Sequence, residues 1–151
     1  MTDPAPARSP EQRKHDVLHR LDHDEDVWVA TASHDGEPCL VPLSFVWDGG
    51  TLLLATRRTN PTAVNVTPTG RVRLSLGHTR DVVLIEGEAE IVEGTELPTE
   101  SGDAFAEKLK WDLRGRPAWV YLRVTPRGVK AWREENELKG RDLMTDGTWL
   151  V

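Results

Sequence analysis

The chain does without several things. It has one cysteine, two phenylalanines and one tyrosine in 151 residues. With Cys39 alone, an internal disulfide and an all-cysteine metal site within one subunit are excluded, and such sparing use suits a reducing compartment. No apolar run approaches the ~20 residues of a membrane helix and no secretory h-region is present, so a cytoplasmic location is expected, with no membrane partner. Basic excess is missing too. Against 25 Asp and Glu stand 19 Lys and Arg, a formal charge of −6 that repels phosphate backbones and argues against a nucleic-acid partner. Tryptophan, by contrast, is plentiful at six residues, and surplus large aromatics often line interfaces or ligand sites.

The length suits one domain with a real core. Residues 1–8, rich in Pro and Ala and without apolar period, are expected to be flexible, leaving residues 9–151 as a single domain. Ser9-Pro10-Glu11-Gln12 reads as a helix start, with a hydroxyl N-cap, proline where no N–H is needed and glutamine at the reciprocal capping position. The helix should run to about Asp22 and pack through Val17, Leu18 and Leu21.

From Val27 the period changes to two. Strands are expected at residues 27–33, 38–47 and 51–56, joined by His34-Asp35-Gly36 and Asp48-Gly49-Gly50, then at 71–77 and 82–92. Asn60-Pro61 starts a short helix over residues 62–66, ended by Thr67-Pro68-Thr69-Gly70. A later helix spans residues 102–111. Two closing strands, 118–125 and 127–133, precede an irregular tail. About six to seven antiparallel strands at even spacing suggest a mainly β fold, a closed or nearly closed barrel with a few short helices. The second strand is apolar or small on both faces, Cys39, Val41, Leu43 and Phe45 alternating with Leu40, Pro42, Ser44 and Val46. Its second face should meet a partner subunit, a ligand, or both.

Two guanidiniums, several hydroxyls and two amides gather between Thr56 and Asn65, where a strand meets a helix N-terminus. Arginine forks, hydroxyl donors and helix N–H groups together can trap an anion; ordinary capping in a solvated connector is the plainer reading. His15, His19 and His23 recur every four residues on the first helix, but on its polar side, where support for metal ligands is scarce, so no metal site is assigned. Cys39 reads as a small core residue and His78 with Asp81 as turn chemistry. Trp132, followed by Arg133, either reaches across a dimer to roof a pocket or packs an interface.

Val27-Trp28-Val29-Ala30-Thr31, Asp35-Gly36, Val41-Pro42-Leu43-Ser44-Phe45, Leu53-Leu54-Ala55-Thr56, Asn65 and Arg71-Val72-Arg73-Leu74-Ser75-Leu76 resemble the pyridoxamine 5′-phosphate oxidase-like split-barrel superfamily, and the closing strands with Val129-Lys130-Ala131-Trp132-Arg133 look like its actinobacterial flavin and deazaflavin branch. The resemblance implies a split β-barrel and a homodimer with cofactor sites at the interface. It further implies FMN or coenzyme F420, with Val41, Pro42, Leu43 and Ser44 along the ring and Thr56, Arg57, Arg58, Thr59 and Thr62 around the phosphate; Asn65 and, where it roofs the pocket, Trp132 are counted with them as candidate cofactor-binding residues. The sequence departs from the family pattern at Thr62, where many members carry a phosphate-binding lysine. No side-chain catalyst is needed, because hydride chemistry belongs to the cofactor. The expected function is a flavin- or deazaflavin-dependent oxidoreductase acting on a small organic substrate. The alternative is a split barrel that binds flavin, deazaflavin or haem without turnover.

Overall fold

The structure, a computed structural model, describes residue 3 and residues 5–151. Of the segment expected to be flexible, residues 1, 2 and 4 lie outside the described residues. Its last residue, Arg8, is held by the carboxylate of Glu137.

Helix α1, Pro10–His23, starts where the capping pattern places it, the Ser9 hydroxyl accepting from the Gln12 backbone N–H at 3.1 Å. The reciprocal half of the capping box is not made, since the Gln12 amide donates to Asp16 at 2.7 Å instead. Val17 and Leu21 enter the core and Leu18 packs at its margin. The apolar pattern does not reveal that Arg13 is buried with them. Its Nη1 donates to the carbonyls of Ala131, Glu137 and Gly140 at 3.1, 2.9 and 3.2 Å, tying α1 to the C-terminal part of the chain.

The strands follow as β1 (Asp26–Ala32), β2 (Pro38–Asp48), β3 (Thr51–Arg57), β4 (Arg71–Leu76), β5 (Val82–Val92), β6 (Trp119–Trp132), β7 (Asp142–Thr145) and β8 (Thr148–Trp149). Helix α2 (Pro61–Thr69) lies between β3 and β4, and α3 (Thr99–Leu109) between β5 and β6. The sheet order is β3-β2-β1-β4-β5-β6-β7-β8, every pairing antiparallel, and β6 also pairs with β3. That extra pairing closes β1 to β6 into a six-stranded barrel and covers the edge of β3 that an open sheet would expose. Alternate residues such as Val27, Val29, Leu52, Leu54, Leu74 and Ile85 fill the interior.

Strand β3 is buried on both faces. Leu52 and Leu54 point into the barrel, while Leu53 and Ala55 join Phe105 of α3, Tyr121, Leu113 and Leu97 in a second cluster outside it. Cover on both sides explains the unbroken Leu52-Leu53-Leu54-Ala55 run.

Four expectations need correction. Residues 118–125 and 127–133 form one strand, β6, with the register against β5 slipping so that Gly87 faces Pro126 and Glu86 faces Gly128. Arg127 is the extra residue of a β-bulge. A bulge is where proline, lacking an N–H, is tolerated inside a sheet. Helix α2 runs three residues further than expected, through Pro68, and stops at Gly70, whose φ of +67° no β-branched residue would readily adopt. The tail is a hairpin, β7 turning into β8 through Asp146 and Gly147 at φ of +49° and +77°. Asp-Gly between short apolar runs is the sequence signal for that turn. The α3 helix also begins at Thr99, ahead of the expected residue 102.

Candidate functional site

The barrel is split between β2 and β3. Strand β2 pairs with β1 along residues 38–44 but with β3 only at Phe45–Asp48, opposite Thr51–Leu54. Beyond that point Ala55, Thr56 and Arg57 pair with Tyr121, Val120 and Trp119 of β6. From Ser44 back to Pro38, the edge of β2 that faces away from β1 therefore has no strand partner among the described residues, and its backbone donors and acceptors are open to a ligand.

Period-two alternation divides the residues expected along the cleft. Val41 sits opposite Val29 and Leu43 opposite Val27, half-buried on the core side. Pro42, opposite Trp28, and Ser44, whose hydroxyl donates to Asp26 at 2.8 Å, lie on the outer face. The four side chains do not share one face.

At the β3–α2 junction, Thr56 and Thr62 are buried and Thr59 is exposed. The Asn60 amide donates to the Thr56 hydroxyl at 3.0 Å instead of capping α2, and the Asn65 amide donates to Thr31 at 3.1 Å, pinning α2 to β1. Arg57 projects from β3 on the face opposite Thr56, its guanidinium 5.0 Å over the Trp119 ring. Arg58 is held at two points by Glu93, at 2.6 and 2.7 Å, and also donates to the Pro117 carbonyl. This pairing raises the Arg58 pKa and draws that of Glu93 below the ordinary carboxylate range. Trp132 ends β6 at the extreme opposite Trp119, thirteen residues and roughly 40 Å of strand away, so it is not brought to the junction of its own subunit.

Sequence reasoning missed the outer face of β1, β4 and β5. There Trp28 stands beside Pro42 and Ser75, and Ser75 beside Leu84, with Leu40 next to Ala30. Leu40, Trp28 and Leu84 are 63%, 45% and 38% exposed. Trp28 could have been found, because with Val27 and Val29 inward the alternation sends a large aromatic outward. A cavity of about 600 Å³ flanks this face, with Arg71, Arg73, Glu86, Glu88 and Arg127 in its walls. The ion pairs Arg73–Glu86 at 2.9 Å and Arg127–Glu88 at 3.8 Å form among these lining residues.

Residues 16–133 match the family model of pyridoxamine 5′-phosphate oxidase. The chain belongs to this family. No curated protein matches it in sequence. Solved structures of the same fold include the conserved hypothetical protein Rv2991 of Mycobacterium tuberculosis, with 21% identity, TM-score 0.69, and coverage of 90% of this chain and 92% of that one. An F420 reductase aligns at 20% identity and TM-score 0.59 over 74% of this chain and 93% of its own. A heme-binding protein from Mycobacterium smegmatis aligns at 16% identity and TM-score 0.68 over 97% of this chain and 60% of its own.

Within this member of the pyridoxamine 5′-phosphate oxidase family, the split offers a flat heterocycle a free strand edge and the half-buried Val41 and Leu43. The junction suits a phosphate dianion less well. It presents hydroxyls and helix N–H groups, while Arg58 is matched by Glu93 and Arg57 is turned onto Trp119. The residues set aside earlier take structural places. Asp81 faces Arg8, Arg20 and Arg133 at 4.0, 3.6 and 3.4 Å, and His19 stacks on His23 with centroids 4.1 Å apart on the exposed side of α1. Cys39 is half-buried on β2. Among the described residues, no helix is long and apolar enough to cross a membrane.

Proposed function

We propose that this chain is a homodimeric oxidoreductase in which a bound flavin or deazaflavin, FMN or coenzyme F420, exchanges a hydride with a small organic substrate. The observation that carries this reading is the parting of β2 from β3. A tricyclic ring with an imide edge is recognised by backbone N–H and C=O groups along a strand edge, and Val41 and Leu43 give it apolar cover. The hydride chemistry is the cofactor's. The chain's own residues bind the ring, orient one face toward substrate and keep water off the other.

Dimerisation is supported by the exposed strip of Leu40, Pro42, Trp28 and Leu84, an apolar patch of the kind a second copy covers. A second copy would also bring its own C-terminal strand ends, Trp132 among them, within reach of the neighbour's cleft. The fold shared with an F420 reductase makes the deazaflavin as serious a candidate as FMN.

Binding without turnover is the second reading, and the matching of Arg58 by Glu93 at the β3–α2 junction favours it. The experiment is fluorescence titration of the purified protein with FMN and with F420, followed by oxidation of the reduced cofactor against a panel of acceptors. Binding with acceleration by an acceptor supports the oxidoreductase. Binding without acceleration supports the carrier. A Soret band on adding haem, with no flavin binding, overturns the flavin and deazaflavin assignment.

A further inference from the structure

We infer that Glu93 sets the cofactor selectivity of this cleft, by neutralising Arg58 so that the ligand is recognised through its ring and not through its terminal phosphate. This rests on the ring site proposed above and adds to it which part of the molecule is read.

The argument starts from Arg58. It is the residue of the β3–α2 junction best placed to offer a guanidinium to an anion, following β3 directly and preceding Thr59 and Asn60. Its fork is already filled. Nη1 and Nη2 meet the two oxygens of Glu93 at 2.6 and 2.7 Å, and Nε and Nη2 reach the Pro117 carbonyl at 3.3 and 3.1 Å. Two-point pairing of planar groups is the geometry in which a carboxylate competes best with phosphate for arginine. The pair is not sequestered in the core. The two side chains are 46% and 41% exposed, so a ligand arriving from solvent meets the pair as a unit with no net charge.

The neighbouring groups do not restore the charge. Arg57 leaves β3 on the opposite face and lies over Trp119, itself met edge-on by Trp111 at 4.9 Å. Thr62 is neutral and buried, and the Asn60 amide is bonded to Thr56. Among the described residues of the β3–α2 junction, what faces a phosphate besides the matched Arg58 is a set of hydroxyls and helix N–H groups, and a dianion gains little from these over water.

The test compares ligands that share a ring and differ in the phosphate. The wild-type protein should bind FMN and riboflavin with dissociation constants within about threefold of each other, since a charged grip would separate them by roughly tenfold or more. Glu93→Gln keeps the shape of the side chain and removes its charge. It should tighten FMN by about tenfold at low salt while leaving riboflavin unchanged, and the gain should shrink as salt screens it. The double variant Arg58→Ala, Glu93→Gln should lose the gain.

Wild-type preference for FMN over riboflavin of more than about tenfold would overturn the inference and leave the ring site standing. A Glu93→Gln variant with unchanged FMN affinity would overturn it equally. Failure of both ligands and of the deazaflavins to bind would overturn the ring site, and this inference with it.

Discussion

The guanidinium of Arg8 grips the carboxylate of Glu137 at two points, 2.8 and 3.0 Å, across 129 residues of sequence. The same carboxylate accepts the backbone N–H groups of Arg8 and Arg133, each at 2.8 Å. Four donors on one buried carboxylate close the N-terminal segment against the turn that follows β6.

A pH dependence follows from this cluster. The hydrogen bond from Arg8 is the main cause that lowers the Glu137 pKa from 4.5 to about 2. Its stabilisation is present above the unfolded value and is lost as pH falls through the folded one. Glu137→Gln should cost about 2–3 kcal/mol at pH 7 by urea unfolding. The gap to wild type should narrow between roughly pH 4.5 and pH 2. A gap that stays constant with pH would assign the loss to packing.

The outer strip gives a second prediction. Trp28→Glu and Leu84→Glu each place a charge on an exposed position, so the subunit should stay folded. Light scattering should report a dimer for wild type and a monomer for each variant, with cofactor affinity lost in the monomers. Dimers in both variants would move the interface elsewhere.

Gly87 opposes the bulge in β6. A Cβ there would clash with Cγ1 of Val124 and stand 3.3 Å from the Thr125 carbonyl oxygen. Gly87→Ala should therefore destabilise the barrel by about 1–3 kcal/mol, read as a fall in the thermal midpoint. An unchanged midpoint would show that the bulge can shift to admit a methyl group.

Arg57 separates sequence expectation from structure. As a phosphate ligand its loss should weaken FMN binding strongly; stacked on Trp119 on the far face of β3, it should matter little. Arg57→Ala should leave the FMN dissociation constant within about twofold while altering the emission of the Trp119 cluster. A tenfold loss would bring Arg57 back into the cleft.

The barrel was legible because its signals are local. Alternation in Val27–Val29 and Val72–Leu76, the Gly-bearing turns at Gly36 and Gly49, and the Ser9 cap each fix their own element. The β7–β8 hairpin carries a local signal of the same kind in Asp146-Gly147. The bulge at Arg127 was not, because an interruption at Pro126 looks the same whether a strand ends or bends.

The candidate site divides along the same line. By itself the sequence determined which residues lie at the β3–α2 junction and that a strand apolar on both faces needs a second cover. Only the tertiary structure decided what those residues do, because the charge a ligand meets depends on partners far off in the chain. Glu93 lies 35 residues from Arg58, and Trp119 reaches Arg57 only through the β3–β6 pairing that closes the barrel. An arginine reads as a free cation in sequence; folding determines whether its charge is already matched.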